Sequence, residues 1–529
     1  MSIVRHAAVQ SGLTMLSRAL GFIRDLVIAA KIGAGPVGDA FQTALMFPNL
    51  FRRVFAEGAF SQAFVPVYAR TREGEGEDVA ARIAGETLSV LFAATAALVI
   101  LAQIAMPAIM FVFFFGYRDD AETFPFAILL TQITMPYLAC MAMAALFQGV
   151  LNSLGRFALA AGAPILLNLF LLIAALSAGP PREAALYCAI AVCAAGFAQA
   201  GMLFWGVKRT GLRFGFRAPK LTPDVKRIIA LAIPGAIAAS GTQVNLLISQ
   251  ILASLEVGAR SWLSFADRLY QLPISLAGVA LGLAILPSLS KAARRRDGVA
   301  YSQTLDQAVL LALGAAIPAG AALMAVPGFL TDALFARGAF TAFDAEMTAL
   351  ALFHFGWGVP AFVLIKVLTP PFFAKENTKT PMRYALVGVA VNTVIGAALF
   401  FYLQGRGEPG FVGLAIATSL AAWLNVALLA GGLLRMADYA PGGALWRGVA
   451  KIAIAVGLMT GLLVVAQANR IPWEASVGGK EVYVALVVLS AGCVYIAGLF
   501  ATGALKPADL RAAIARDRAE GAGGSDLEH

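Results

Sequence analysis

The sequence predicts an all-α polytopic membrane protein of about 14 transmembrane helices, two six-helix lobes in parallel repeat plus an appended helix pair. Three observations predict it. Of 529 residues, 60% are hydrophobic and only 13% are charged, whereas a soluble domain carries about 25% charge. Apolar runs of spanning length recur from end to end, and the alternating segments of about 10 residues that mark a membrane β-barrel are absent. Lys and Arg gather in alternate connections, as the positive-inside rule requires of a multi-span protein.

Taken in order, the apolar runs place spans near 6–32, 37–68, 84–115, 124–153, 157–178, 184–207, 227–253, 261–290, 304–335, 346–374, 382–403, 410–434, 446–468 and 481–504. Some exceed the roughly 20 residues that cross a bilayer, so those helices are expected to tilt, bend or project. Pro48, Pro66, Pro136, Pro273 and Pro360 are the expected bend points. Pro136 and Pro360 stand 224 residues apart in similar surroundings, as do Asn168 and Asn392, and Pro66 echoes Pro287 at 221. Spans 1–6 and 7–12 therefore read as parallel repeats. The expected division is an N-lobe at 1–209, a C-lobe at 222–436, an appended pair at 444–504, and a tail at 505–529 whose last residues, GGSDLEH, resemble an expression-tag remnant.

One set of alternate connections, with both termini, holds 26 of the forty Lys and Arg residues, and the other holds seven, among them Arg260 and Arg337. Both termini are thus expected in the cytoplasm. The net charge of +10 is spread in this way rather than gathered into a nucleic-acid surface. Arg18, Arg24 and Asp25 interrupt the first apolar run, so it reads as a retained span and not a cleaved signal. The four cysteines lie in apolar runs without a C-x-x-C pair, which points to packing and away from disulfides or zinc. No catalytic or metal-ligating set is expected.

The sharpest signal is cationic. Span 1 contains LSRALGFIRD, with Arg18, Arg24 and Asp25; span 2 contains Asp39, Arg52, Arg53 and Glu57; span 8 contains FADRLYQLP, with Asp267 and Arg268. An Arg near a helix centre costs roughly 2.5–3.5 kcal/mol on insertion scales, so four without compensation would cost on the order of 10 kcal/mol. Arg53 and Glu57, four apart, share a face and are expected to pair. Arg24 and Arg52 show no obvious partner in their own helices. Guanidiniums from both lobes converging on an aqueous cavity would suit a diphosphate, because the planar fork donates paired hydrogen bonds to phosphate oxygens. Lys366 reads as structural or snorkelling, and His354 as a satisfied interior residue. Gly33-Ala34-Gly35-Pro36 reads as a tight turn, and the basic 208–227 connection as an orientation signal that also suits an anionic leaflet or a partner protein.

LSRALGFIRD, DAF, PNLFRRVFAEGAFSQAFVPVY, ADRL and LPSLSK together resemble the bacterial lipid II flippase family called MurJ or MviN, within the multidrug/oligosaccharidyl-lipid/polysaccharide exporter superfamily. The motif match covers 16–68 and 265–291, and the span layout extends it over nearly the whole chain. The resemblance implies a transporter, not an enzyme, of the bacterial inner membrane. It would move the undecaprenyl-diphosphate-linked peptidoglycan precursor from the cytoplasmic to the periplasmic leaflet by alternating access. Carried over by motif, Arg18, Arg24, Arg52 and Arg268 would bind the headgroup, Asp25, Asp39, Arg53 and Glu57 would shape the cavity or its gates, and spans 13 and 14 would form a groove for the lipid tail. Lipid II, membrane lipids and other cell-wall synthesis proteins are the implied partners. Some members use a sodium site of carboxylates between spans 7, 11 and 12. Span 7 here has no acidic residue and span 11 offers only Asn392 and Thr393, so no cofactor is expected and the membrane potential or an ion gradient is the expected energy source.

Other readings make different demands. An exporter of another lipid-linked glycan shares the architecture, and a cationic-drug exporter wants an acidic cavity. A membrane glycosyltransferase wants a catalytic motif that Asp119, Asp120 and Glu122 do not form. A pseudo-transporter that recruits other cell-wall proteins would share the layout without the transport.

Overall fold

Within a bilayer no water satisfies peptide N–H and C=O groups, so a spanning segment must close its hydrogen bonds internally, which the helix does. The structure, a computed structural model, describes residues 3–55, 59–212, 215–284, 298–375, 377–435, 439–470, 474 and 479–504. Their regular structure is helical: α1 (Ile3–Ile32), α2 (Pro36–Phe55), α3 (Ala59–Glu75), α4 (Glu77–Phe113), α5 (Thr123–Thr134), α6 (Tyr137–Ser153), α7 (Phe157–Ser177), α8 (Pro181–Lys208), α9 (Pro223–Ala253), α10 (Ala259–Ala284), α11 (Gly298–Ala325), α12 (Pro327–Phe335), α13 (Ala342–Gly356), α14 (Val359–Leu368), α15 (Pro370–Phe373), α16 (Lys379–Gln404), α17 (Phe411–Arg435), α18 (Gly443–Ala468) and α19 (Lys480–Ala501). Each expected span contains helix. Ten helical stretches among the described residues are long and apolar enough to cross a membrane; α1, α2 and α10, which carry the arginine motifs, are not among them. The chain is a multi-pass membrane protein.

The repeat-related prolines behave alike. Pro136 separates α5 from α6, and Pro360 is the second residue of α14, just after the break between α13 and α14. Pro48, Pro66 and Pro273 instead lie inside continuing helices. A proline removes one backbone bond, and a helix with good packing absorbs that loss. Pro287 lies outside the described residues.

By contact, the chain divides into two compact units: Met1–Phe265 with Phe335–Met347 and Thr393–Leu414, and Ala266–Leu334 with Thr348–Asn392 and Ala415–His529. In the first, α1 packs on α7, α7 and α6 on α8, and α2 on α5. Small residues permit this closeness, as membrane helices require: a Cβ on Gly196 of α8 would stand 2.6 Å from the Tyr137 ring of α6. The turn 33–36 is as tight as expected, with Gly33 at φ 76° and Gly35 at φ 88°. Segment 337–340 folds against the end of α1, where the Ala339 N–H donates to Ala30 O at 2.8 Å.

In the second unit, α11 packs on α14 and α18, and α18 on α19. The α18–α19 pair is pinned near both of its ends. Asp306 of α11 accepts the Tyr439 hydroxyl at 2.7 Å and the Gly442 N–H at 2.9 Å. Asp332 of α12 pairs with Arg470 and, at 3.4 Å, with Lys480. His354 of α13 faces the Trp357 indole N–H at 3.5 Å, in keeping with a satisfied interior residue.

Candidate functional site

Arg24 lies on α1 among apolar neighbours, with 13% of its side chain exposed. Its Nε and Nη2 donate to Asp25 Oδ1 at 3.0 and 2.6 Å, and its Nη1 donates to Asn168 Oδ1 at 2.8 Å. Asn168 belongs to α7 and is itself fixed, because its Nδ2 donates to Ser17 O at 2.8 Å. Gly21 helps: a Cβ there would already touch the Asn168 amide at 3.5 Å. The partner that α1 seemed to lack is therefore its own next residue. Adjacent Cα–Cβ vectors diverge by about 100°, but a long guanidinium curls back far enough to meet a short carboxylate. Among the described residues three of the five guanidinium N–H groups are engaged, which leaves one on each Nη to donate.

The other expected residues are placed as follows. Arg18 is exposed on α1, about 9 Å along the axis from Arg24. The backbones of Arg52 and Arg53 end α2, but their side chains lie outside the described residues, as does Glu57; the expected Arg53–Glu57 pair lies there too. Arg268 is half-buried on α10 in the second unit, and the neighbouring Asp267 accepts the Gln271 amide.

Asp39 is different in kind. It is fully buried at the first turn of α2 and accepts four hydrogen bonds. The Tyr117 hydroxyl reaches Oδ2 at 2.8 Å and the Gly258 N–H reaches it at 2.8 Å; the Ser261 N–H and hydroxyl reach Oδ1 at 2.9 and 2.7 Å. Beside it Arg260, counted in sequence as a connection residue, is the second residue of α10 and fully buried. It donates to Gln250 O at 2.8 Å, to the Thr43 hydroxyl and to Phe113 O. Two helix ends and the Thr43 hydroxyl supply it with acceptors, and among the described residues it has no direct carboxylate. Burial first, and then the Asp39 carboxylate, pushes the Tyr117 phenol well above its usual range. The sequence singles out Arg24 and Asp39 but not Asn168 as the partner of the first, Tyr117 and Ser261 as partners of the second, or the buried Arg260; only the Asn168–Asn392 echo offered a signal.

The family model described as lipid II flippase MurJ matches residues 28–475. A Rhizobium tropici protein named a probable lipid II flippase MurJ is 37% identical over 529 residues, covering 98% of each chain. The chain belongs to the lipid II flippase MurJ family. A Burkholderia cenocepacia lipid II flippase MurJ is 36% identical, covering 88% of this chain and 90% of its own. In fold, a solved lipid II flippase MurJ in an inward closed conformation is similar, with a TM-score of 0.75 at 23% identity over 93% and 98% of the two chains. A multidrug resistance MATE family transporter of the MOP superfamily, inward-facing, is similar at TM-score 0.61 and 14% identity, covering 83% and 99%.

Among MurJ-family features the sequence left one in question. Thr393 of α16 lies 3.5 Å from the side-chain oxygen of Asn245 on α9, a neutral pair. Among the described residues no group of three or more His, Cys, Asp or Glu stands ready for a metal ion.

Proposed function

We propose that this chain is a lipid II flippase that carries the undecaprenyl-diphosphate-linked peptidoglycan precursor from the cytoplasmic to the periplasmic leaflet by alternating access, without covalent chemistry. The observation that carries the reading is Arg24: a largely buried cation on α1, held in one orientation by Asp25 and Asn168, with N–H groups that the described residues leave to donate. A guanidinium so fixed loses little freedom when it meets a diphosphate. In this proposal Arg18, Arg52 and Arg268 also bind the headgroup, while Asp25, Asp39, Arg53 and Glu57 shape the cavity or its gates. The repeats 1–209 and 222–436 act as the two lobes, and α18–α19, apolar and pinned near both ends, offer the lipid tail a groove. The site lies in the bacterial inner membrane with both termini cytoplasmic, and the membrane potential or an ion gradient drives the cycle. Lipid II, membrane lipids and other cell-wall synthesis proteins are the partners.

The test is the leaflet distribution of lipid II in cells depleted of their own flippase and complemented with this chain. Wild type is expected to restore outward transfer, and Arg24→Ala and Arg268→Ala to abolish it at matched expression. No rescue by well-expressed wild type overturns the assignment; full rescue by both variants reduces these arginines to membrane anchors. Export of another lipid-linked glycan would appear as rescue of that glycan's transfer instead.

A further inference from the structure

The connection between α8 and α9 is more than a charged loop. Its described backbone after Gly211 runs without helix to Thr222 and is fastened to one face of α4. The Arg217 N–H donates to the Ser89 hydroxyl at 2.8 Å, and the Thr222 hydroxyl donates to Glu86 Oε2 at 2.9 Å. Gly215 O comes so near that a Cβ on Gly85 would stand 2.6 Å from it, and the Phe216 ring meets Phe92 edge-on at 5.5 Å. Residues 85, 86, 89 and 92 share that face by helical spacing.

The Thr222 hydroxyl and one edge of the Phe216 ring face α4, and the charged side chains turn outward. Lys208, Arg209, Arg217, Lys220, Lys226 and Arg227 are all exposed. Beside Lys208 and Arg209 in the chain Trp205 is exposed by 49%, and between the other cations Phe216 and Leu221 are exposed by 57% and 58%. The carboxylates nearby are already occupied: Glu86 with Arg82 at 3.1 Å, and Asp224 with Arg82 at 3.8 Å. The positive-inside rule accounts for the number of cations but asks nothing of their backbone, and it leaves exposed Phe and Leu among them unexplained. Cations interleaved with apolar and aromatic side chains are the pattern of a surface that meets lipid phosphates and the acyl boundary together.

We propose that residues 205–212 and 215–227 form a docking surface for anionic phospholipid, with the phosphate of a phosphatidylglycerol-type headgroup on the cations and acyl chain against Phe216 and Leu221. This surface shares no residue with the proposed headgroup site and is independent of which lipid the chain transports.

The test uses the purified full-length protein in neutral detergent mixed with an excess of phosphatidylcholine over phosphatidylglycerol, and counts each lipid retained after capture. Wild type is expected to enrich phosphatidylglycerol by about fivefold over the input ratio. Removing four cations (Arg217→Gln, Lys220→Gln, Lys226→Gln, Arg227→Gln) or the apolar contact that takes no part in the fastening (Leu221→Ser) is expected to return the ratio toward input. Arg217 joins the fastening through its backbone, so the charge variant keeps it, and an unchanged melting temperature shows that the fold is intact. A control that removes Lys375, Lys379 and Arg383 (each to Gln) is expected to retain the enrichment. Loss in this control as well assigns the effect to net charge and overturns the proposal. So does unchanged enrichment in the 217–227 variant, or release of the lipid by inorganic phosphate alone, which marks an anion site and not a lipid surface. A surface that binds an acidic protein instead gives no enrichment in this lipid assay.

Discussion

Asp39 is held by four donors, so its loss is felt at several atoms at once. Asp39→Ala leaves the Tyr117 hydroxyl, the Gly258 N–H and both Ser261 donors without their acceptor, and each unsatisfied buried group costs about 1–3 kcal/mol, not additively. Tyr117→Phe removes one of the four. The melting temperature in detergent is therefore expected to fall much further in Asp39→Ala than in Tyr117→Phe; equal falls would mean that the remaining three bonds contribute little. Asp120 permits a test against pH. Its Oδ1 accepts the Glu122 and Thr123 N–H groups at 2.9 Å each, capping the start of α5, and these bonds hold its carboxyl below the ordinary value. A depressed folded value means that the stabilisation is present above the unfolded pKa of about 3.9 and is lost as pH falls through the folded one. Amide protection at residues 122–126 is expected to exceed that of Asp120→Ala at neutral pH, with the difference shrinking only below about pH 4. A difference that is flat down to strong acid contradicts the assignment.

At the scale of elements, close approach is what the glycines permit. Gly338 takes φ 59°, and a Cβ there would stand 2.2 Å from Ala30 O at the end of α1. Gly407 takes φ 77° in open space. Gly407→Ala is expected to cost only the left-handed strain, about 1–2 kcal/mol, whereas Gly338→Ala adds an overpacking term of about 1–3 kcal/mol. Comparison of their melting temperatures checks this, and a Gly338→Ala loss no larger than that of Gly407→Ala contradicts the docking of 337–340 on α1. The capping of α13 works in the same local way: Thr341 accepts the Asp344 N–H at 3.2 Å while Asp344 accepts the Thr341 hydroxyl at 2.7 Å.

For the whole molecule the first quantity to establish is sidedness, since every directional statement about transport depends on it. The charge bias predicts that the 208–227 connection is cytoplasmic and the 118–122 connection extracytoplasmic. With the four native cysteines replaced by Ala, a cysteine placed at Lys220 is expected to react with an impermeant maleimide only after lysis, and one at Asp120 to react in intact spheroplasts. The opposite pattern inverts the orientation, and reaction of both from outside removes the odd-even logic on which it rests.

The sequence by itself determined the class, because lipid solvation acts on each segment alone: a run of apolar residues is helical in a bilayer wherever its neighbours are. Every expected span contains helix, and the repeat-related Pro136 and Pro360 mark breaks that a reader of the sequence can place. The conspicuous cations of LSRALGFIRD were legible for the same reason, since a charge in an apolar run is costly in any fold. Only the tertiary structure decided what each charge meets. Asp39 finds its donors 78, 219 and 222 residues away, and Arg24 finds Asn168 at a separation of 144. No local spacing encodes such partners, and helix ends, which supply two of the three acceptors of Arg260, offer backbone atoms that carry no residue identity at all. Solvation is a property of a segment and can be read along the chain; satisfaction of a buried polar group is a property of a neighbourhood, and it exists only once the helices are packed.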